Sequence, residues 1–518
     1  MEDIDGLTGY WNADNLVGIR NHTAIIGLSP FCSQAVRLIS EQVFGTIPMA
    51  QMHGRNELGL NLERFNRSML NVTLNPNVAS LLVVGYEPKT TQRFVNEFKL
   101  KSKKPIESVV TLEIGGILET VKSGAKKAMD LVINASENKR EPLQLGDLTI
   151  GVKCGGSDAT SGIVSNPVTG RVVDKIIDAG GNVIFSETTE IIGAEHVLAK
   201  RAVDESVAEK IIRTAMANEE VARHAGVDLV DINPVPDNIA GGISTIEEKS
   251  LGAISKTGTR KITDVIDYAE IPEGRGLYFM DSPSAAHEVL TALAAAGTQL
   301  VIFSTGTGNP SGGPGTVPIL KITGNPHTAS HMKDHIDLDV SKVLLGAMNL
   351  DEASEILMGM LEKGYSICYL EKFEIEELYD ARKLLEGYGA YLCTLNITDA
   401  GRNELRNHML KVEMLKNSKS EDLLKKAEMN GLIHQLIATH SNNRYILKFT
   451  QEIRLKLSLI RVALFTVEDR EEEDFLDHSE IVNAILLGDA KKARQKMEEH
   501  QNNVLEYVRK NILPRFVF

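Results

Sequence analysis

The stretch "HTAIIGLSPFCSQAVRLISEQVF", residues 22–44, reads as an apolar β-branched strand, a turn at Ser29-Pro30 and an amphipathic helix. The same pattern returns in "VASLLVVGYEPKTTQRFVNEF" (78–98) and again in "PIESVVTLEIGGILETVKSGAKKAMDLV" (105–132). Apolar runs alternating with helical periods predict a parallel sheet covered by helices on its faces. The polar run "NASENKREPLQLGD" (134–147) reads as a link to the next part. The fold class expected is α/β: a parallel-sheet body in two domains, 1–140 and 146–345, followed by an all-α antiparallel helical bundle over 366–518.

The second part is rich in glycine. "LTIGVK" (148–153) and "NVIFSE" (182–187) are strand-like and lead into the helical runs "GRVVDKIIDAG" and "GAEHVLAKRA"; "VIFSTGTGNPSGGPG" (301–315) repeats the strand-then-glycine-loop form. Loops at strand ends are where such domains carry their chemistry. From about 346 onward glycine and proline thin out. "EELYDARKLLEGYGAYL", "EDLLKKAEMNGLIHQLIATH" and "RYILKFTQEIRLKLSLIRVAL" place apolar residues at helical spacing, and short connections make the helices antiparallel.

Bulk properties narrow the class. The chain has 518 residues, 42% hydrophobic and 24% charged, as in an ordinary globular protein. Its four cysteines form neither a disulfide framework nor a CxxC pair, which fits a reducing cytoplasm. The acidic start "MEDIDGLTGYW" is no signal peptide, and no apolar run reaches membrane-spanning length, so no membrane partner is expected. A formal net charge of −14 argues against binding a phosphate backbone.

Three loops of the middle part carry candidate chemistry. "KCGGSD" sets Cys154, Gly155, Gly156, Ser157 and Asp158 directly after a strand, where glycines let a ligand approach the backbone. The plain alternative is a strand-to-helix turn. "SETTEIIGAEH" adds Glu187, Glu190, Glu195 and His196, either donors for a divalent metal, an acid–base set, or a solvated helix start. "GGISTIEEKSLG" supplies Lys249 beside Glu247 and Glu248, a triplet that also suits plain surface.

Taken together, "GYWNADNLVGIRN", "NPNVASLLVVGYE", "CGGSDATSGIVSNPVTG", "SETTEIIGAEH", "GGISTIEEKSLGA" and "FSTGTGNPSG" resemble the altronate/galactarate dehydratase family, which includes the large subunit of sulfolactate lyase. The resemblance covers about 8–345. It implies a lyase that needs iron or another divalent metal such as manganese and eliminates water or sulfite from a small hydroxy acid to give a 2-oxo product. Such a reaction needs a base for the α-proton, an acid for the leaving group and a fixed charge for the carboxylate. Candidates are Glu187, Glu190, His196, Asp158 and His53 for acid–base work, Lys249 with Gly155, Gly156 and Ser157 for the substrate, and Cys154 as a metal ligand. The family also implies a small β-rich domain of the SAF type, a separate subunit in the sulfolactate branch, and homo-oligomers. Two thiol positions of the family are lost: "HGRNELG" has Asn56 in place of a cysteine after His53, and "GYEPK" has none after the third strand. A further cysteine that some members carry in the glycine-rich loop is missing from "GTGNPSGGPG".

The last helical run, "HSEIVNAILLGDAKKARQKMEEH" (478–500), is bracketed by two histidines. As one helix it would hold them about 33 Å apart. Gly488-Asp489 is a good stop and restart, and folding back there brings His478 and His500 to one height on adjacent helices. His434, with Asn430 one turn before it, completes a candidate zinc or nickel pocket. The plain alternative is scattered surface histidines. "ELYDARKLLEGYGAYLC", "NGLIHQLIATHSNNRYI" and "DHSEIVNAILLGDAKKARQKMEEH" resemble the FCD ligand-binding domain of GntR-type regulators, over about 370–510. That family implies an Asp and three His on a metal, carried here by Asn430, His434, His478 and His500, with Arg382 on a small carboxylate. No DNA-binding domain accompanies it. Two readings remain open: a metal-dependent lyase with a carboxylate-sensing tail, or a catalytically dead body serving as a metabolite-binding regulator.

Overall fold

Each β-branched run becomes a buried parallel strand. In the computed structural model, residues 7–43, 45–51, 57–227, 229, 233–366, 372–416, 423–456 and 470–512 are described, with side chains except at 334, 362–366, 372–377, 415–416, 423–430, 452, 454–456, 470–472 and 511–512. The chain divides into two units, Met1–Cys368 and Tyr369–Phe518.

The first unit opens with a small antiparallel sheet of β1 (Thr8–Trp11), β2 (Val17–Gly18) and, from the far end of the first α/β part, Arg140–Pro142 (β7). Between them lies a four-stranded parallel sheet of β3 (His22–Gly27), β4 (Thr46–Met49), β5 (Val78–Gly85) and β6 (Ile106–Val110), in the order β4-β3-β5-β6. All eight residues of β5 are buried, as expected of a strand covered on both faces. Burying each Leu or Val there contributes roughly 1.5–3 kcal/mol. The helix Pro88–Lys101 starts where its sequence says: proline sits at its first turn, Glu87 caps Thr90 N, and Lys99 and Lys101 lie in the last turn.

The second part is a seven-stranded, wholly parallel sheet: β8 (Thr149–Cys154), β9 (Asn182–Ser186), β10 (Ile262–Ile266), β11 (Leu277–Met280), β12 (Leu300–Ser304), β13 (Ile319–Thr323) and β14 (Leu338–Asp339). The order is β10-β11-β9-β8-β12-β13-β14. The chain leaves β8 to one side for β9 and later returns to β12 on the other. That reversal leaves a crevice beyond the carboxyl ends of β8 and β12, the place where such sheets bind ligands.

The "NPNVA" motif joins the two parts. Asn75 Nδ2 donates to the Ala294 and Thr298 carbonyls at 2.7 and 2.9 Å. Asn77 Nδ2 donates to those of Gln299 and Thr316 at 2.8 and 2.9 Å, while its Oδ1 accepts from Ile19 N at 2.8 Å. Both side chains are fully buried, so these bonds are structural rather than catalytic.

The second unit is helical, with helices Lys372–Asn396, Asp399–Lys416, Leu423–His440, Arg444–Lys456, Arg470–Leu486 and Ala490–Tyr507. Its core is built from Ala390, Cys393, Ile433, Ile437, Ile481, Ile485 and Met497. The fold-back occurs where glycine permits it: Gly488 has φ +79° and the Asp489 side chain accepts from Lys492 N. No helix among the described residues is long and apolar enough to cross a membrane.

Candidate functional site

A cavity of about 380 Å³ opens at the crevice of the seven-stranded sheet. The turn after β8, the loop after β9 and the helix Ile246–Ile254 line it, bringing together Lys153, Ser157, Glu187, Glu190 and Lys249. The turn needs its glycine: Gly156 has φ +62°, and a Cβ there would lie 2.6 Å from Thr307 Oγ1.

Two buried ion pairs dominate the site. Lys153 Nζ lies 2.6 Å from Glu187 and donates to the Cys154 carbonyl at 2.7 Å. Lys256 Nζ donates to Glu190 at 2.8 Å and to Cys154 Sγ at 3.3 Å, and the Cys154 thiol donates to Glu190 at 3.1 Å. All five side chains are essentially inaccessible to water. Glu187 also has a left-handed backbone, φ +76°, a conformation that costs energy in a non-glycine residue and clusters at working sites.

These neighbours push the two carboxyls apart in acidity. Burial, and then the Glu190 charge, raise Glu187 to about 8. Burial would raise Glu190 as well, but the Lys256 and Lys153 ammoniums outweigh it and hold that carboxyl below its ordinary range. Carboxyls driven in opposite directions inside one cavity are an acid–base signature.

Lys249 lines the cavity, its ammonium held by the amide oxygens of Asn233 and Asn238 at 2.6 and 3.0 Å. It has no carboxylate partner among the described residues. Ser157 Oγ is buried at the cavity without a hydrogen-bond partner among the described residues. Other expected residues lie elsewhere. Asp158 is turned inward: Oδ1 accepts from Ser161 N and Thr160 Oγ1, and Oδ2 from Asn325, so it builds the turn after β8. His196 is exposed on the short helix Glu195–Ala199 and does not line the cavity. His53 and Asn56 lie outside the described residues.

The second unit holds a histidine cluster. His478 Nε2 lies 3.1 Å from His434 Nε2 and 3.2 Å from His500 Nε2, all three rings buried. His434 Nδ1 lies 2.8 Å from Glu386 Oε2, and His500 Nδ1 lies 3.0 Å from Asp477 Oδ2. The Asp477 hydrogen bond fixes His500 with the proton on Nδ1 and the Nε2 lone pair facing inward, and the Glu386 carboxylate stands beside His434 Nδ1. His478 can donate to only one of the other two Nε2 atoms, so a further lone-pair contact remains. Glu386 Oε1 accepts from Arg382 Nε at 2.8 Å. The side chain of Asn430 lies outside the described residues.

Residues 145–366 match the model of "D-galactarate/Altronate dehydratase, C-terminal", and 9–136 that of "D-galactarate dehydratase/Altronate hydrolase, second domain". The (2R)-sulfolactate sulfo-lyase subunit beta of Chromohalobacter salexigens is 39% identical over 68% of this chain and 90% of that protein. The chain belongs to the D-galactarate/altronate dehydratase family. The altronate dehydratase of Escherichia coli is 32% identical over 65% of this chain and 69% of that protein. The Bacillus subtilis altronate dehydratase is 35% identical over 54% of this chain and 55% of that protein. Residues 377–503 match the FCD domain, so the dehydratase unit precedes an FCD unit in one chain.

The two metal expectations fare differently on donor chemistry. In the dehydratase unit, Cys154 does not suit a ligand. Burial and the Glu190 charge push its thiol up to about 12, it does not line the cavity, and the ammonium of Lys256 stands against it. Glu187 and Glu190 are each matched by a lysine, so both carboxyls already have an ammonium beside them before any ion arrives. The described donors of the cavity do not fit a resident divalent metal. In the FCD unit they do fit: His434, His478 and His500 bring three ligand atoms within 4.8 Å of one another. Burial and the neighbouring histidines keep His478 well below its ordinary value, and burial lowers His434 to about 3, so both rings stay neutral with lone pairs to give.

Four residues absent from the sequence-level site belong to these clusters: Lys153, Lys256, Glu386 and Asp477. A lysine inside the apolar run "LTIGVK" and a glutamate one turn after Arg382 were visible signals. Lys256 left none, since it reaches Cys154 from 102 residues away.

Proposed function

We propose that the dehydratase unit is a carbon–oxygen lyase acting on a sugar acid or related hydroxy acid of the altronate or galactarate type. The observation that supports this best is Glu187, a cavity carboxyl raised to about 8 and held by Lys153. In its ionised form it is the base for the proton α to the substrate carboxylate. The Lys249 ammonium and the unpartnered Ser157 hydroxyl hold that carboxylate and offset the charge that builds on it as the proton leaves. Lys153 gives a proton to the departing β-hydroxide, which leaves as water. The enol that remains takes a proton at the β-carbon and becomes the 2-oxo acid. Glu190, Lys256 and Cys154 form the fixed, charged floor of the cavity.

A second reading rests on the relative named as a sulfo-lyase subunit beta, which this chain spans over 90% of its length. The same α-proton removal would then expel sulfite in place of water, in company with a small partner subunit.

For the FCD unit we propose a carboxylate-binding role. His434, His478 and His500 would hold a zinc- or nickel-like ion, which when bound supplies a Lewis-acidic contact for a ligand oxygen. Arg382 turns toward the ligand's carboxylate.

The test is turnover of altronate, galactarate and (2R)-sulfolactate by the purified chain, with 2-oxo acid and sulfite measured separately, with and without chelator. Product formation that disappears in Glu187→Gln supports the lyase. Absence of product from all three, with a companion subunit supplied, would sink it and leave the FCD unit as the working part.

A further inference from the structure

Gln501 lies one position beyond His500 on the helix Ala490–Tyr507, and its side chain is 1% exposed. Its Nε2 donates to Glu386 Oε2 at 2.9 Å, with Met497 Sδ at 3.7 Å. The other oxygen of that carboxyl accepts from Arg382 Nε at 2.8 Å, so Glu386 serves as the acceptor on both sides. The amide is therefore oriented by chemistry: nitrogen toward Glu386, oxygen away. Gln501 Oε1 is buried and has no hydrogen-bond donor among the described residues. An acceptor stripped of water and left without a donor is an uncommon and costly arrangement, and it calls for an explanation.

The neighbour across the same carboxylate supplies one. Arg382 spends its Nε on Glu386 Oε1 at 2.8 Å, and its terminal nitrogens have no hydrogen-bond partner among the described residues. Its side chain is 12% exposed. Glu386 thus holds Arg382 on one oxygen and both His434 and Gln501 on the other. The Arg382 guanidinium, with the Tyr379 ring centroid 5.8 Å from its carbon, and the Gln501 amide are thus held on opposite oxygens of one carboxylate. The terminal nitrogens of the first can donate to a further carboxylate, and the oxygen of the second can accept from a proton donor.

We infer that the FCD unit takes a hydroxy acid, with the carboxylate on the terminal nitrogens of Arg382 and a hydroxyl donating to Gln501 Oε1. This rests on the carboxylate-binding reading of that unit and goes further by naming the group beside the carboxylate. A 2-oxo acid presents a carbonyl at that carbon, with no proton to give. The FCD unit therefore distinguishes the kind of molecule the dehydratase unit consumes from the kind it makes.

The probes are L-malate and succinate, which differ by one hydroxyl, titrated calorimetrically into the full chain loaded with Co²⁺. Wild-type protein is expected to bind malate about tenfold or more tightly than succinate, the worth of one good hydrogen bond to an otherwise orphaned acceptor. In Gln501→Leu, and in Gln501→Met as a second variant nearer in length, that preference falls to near one. Helix content by circular dichroism shows that each variant folds. Equal affinity for the two acids in wild type overturns the inference. So does a malate preference that survives both variants, because the hydroxyl would then sit on the ion. Succinate binding that is indifferent to Arg382→Met, or absent, overturns the carboxylate-binding reading itself, a different result from either of these.

Discussion

Glu187 and Glu190 stand three residues apart on one loop, line one cavity and carry opposite acidities. Burial and its neighbour's charge drive Glu187 up, while Lys256 and Lys153 hold Glu190 down against the same burial. The first is suited to exchanging a proton near neutral pH and the second to remaining charged.

A base raised to about 8 is mostly protonated at pH 7, so kcat/KM is expected to rise with pH and level off above about 8. In Glu190→Gln one cause of that rise disappears, and the midpoint moves toward lower pH. Rates measured from pH 5 to 10 in both proteins check this. A midpoint unmoved by Glu190→Gln removes the coupling between the two carboxyls.

Lys256→Met strips Glu190 of the ammonium bonded to it and leaves a buried carboxylate short of its ion-pair partner. The expected loss is about 3–5 kcal/mol of stability, as for breaking one side of a buried ion pair. Adding Glu190→Gln removes the stranded charge, and the double variant should recover a large part of the loss. Urea unfolding of the four proteins in the cycle gives the answer.

In the FCD unit, Glu386→Gln takes away the negative charge that stands 2.8 Å from His434 Nδ1. Affinity for Zn²⁺, measured by competition with a chromophoric chelator, should fall about 10- to 100-fold. His478→Ala, which removes the ring closest to both others, should abolish binding at this site. Unchanged affinity in both variants would place the metal elsewhere.

Asn77→Ala breaks two buried hydrogen bonds that join the two halves of the dehydratase unit, and one to Ile19 N within the first half, and leaves two carbonyls without a donor. A loss of about 1–3 kcal/mol is expected for each group stranded this way, with kcat unchanged below the melting range. A catalytic role for the "NPNVA" motif would show instead as lost turnover at full stability.

How far the site could be read from the chain depends on separation. Ser157, Glu187, Glu190 and Lys249 were recognisable because each sits in a loop with its own local pattern. The fold-back at Gly488-Asp489 was legible for a similar reason, since a left-handed glycine followed by a capping aspartate is a local instruction. Asp158 misled because a carboxylate beside a glycine turn looks the same whether it serves a substrate or caps Ser161 N. His196 misled because helical spacing does not say which side of a five-residue helix meets the cavity.

Alternating apolar and helical periods in the sequence determined the α/β body, the helical tail and the loops that bear chemistry, because those signals act within a few residues. Only the tertiary structure decided the charges. Lys256 meets Cys154 and Glu190 across 102 and 66 residues, and Glu386 meets Gln501 across 115. Whether a carboxylate faces a metal, a lysine or a substrate is set by what packing brings against it. In a buried site that partner fixes the protonation state, and with it the chemistry.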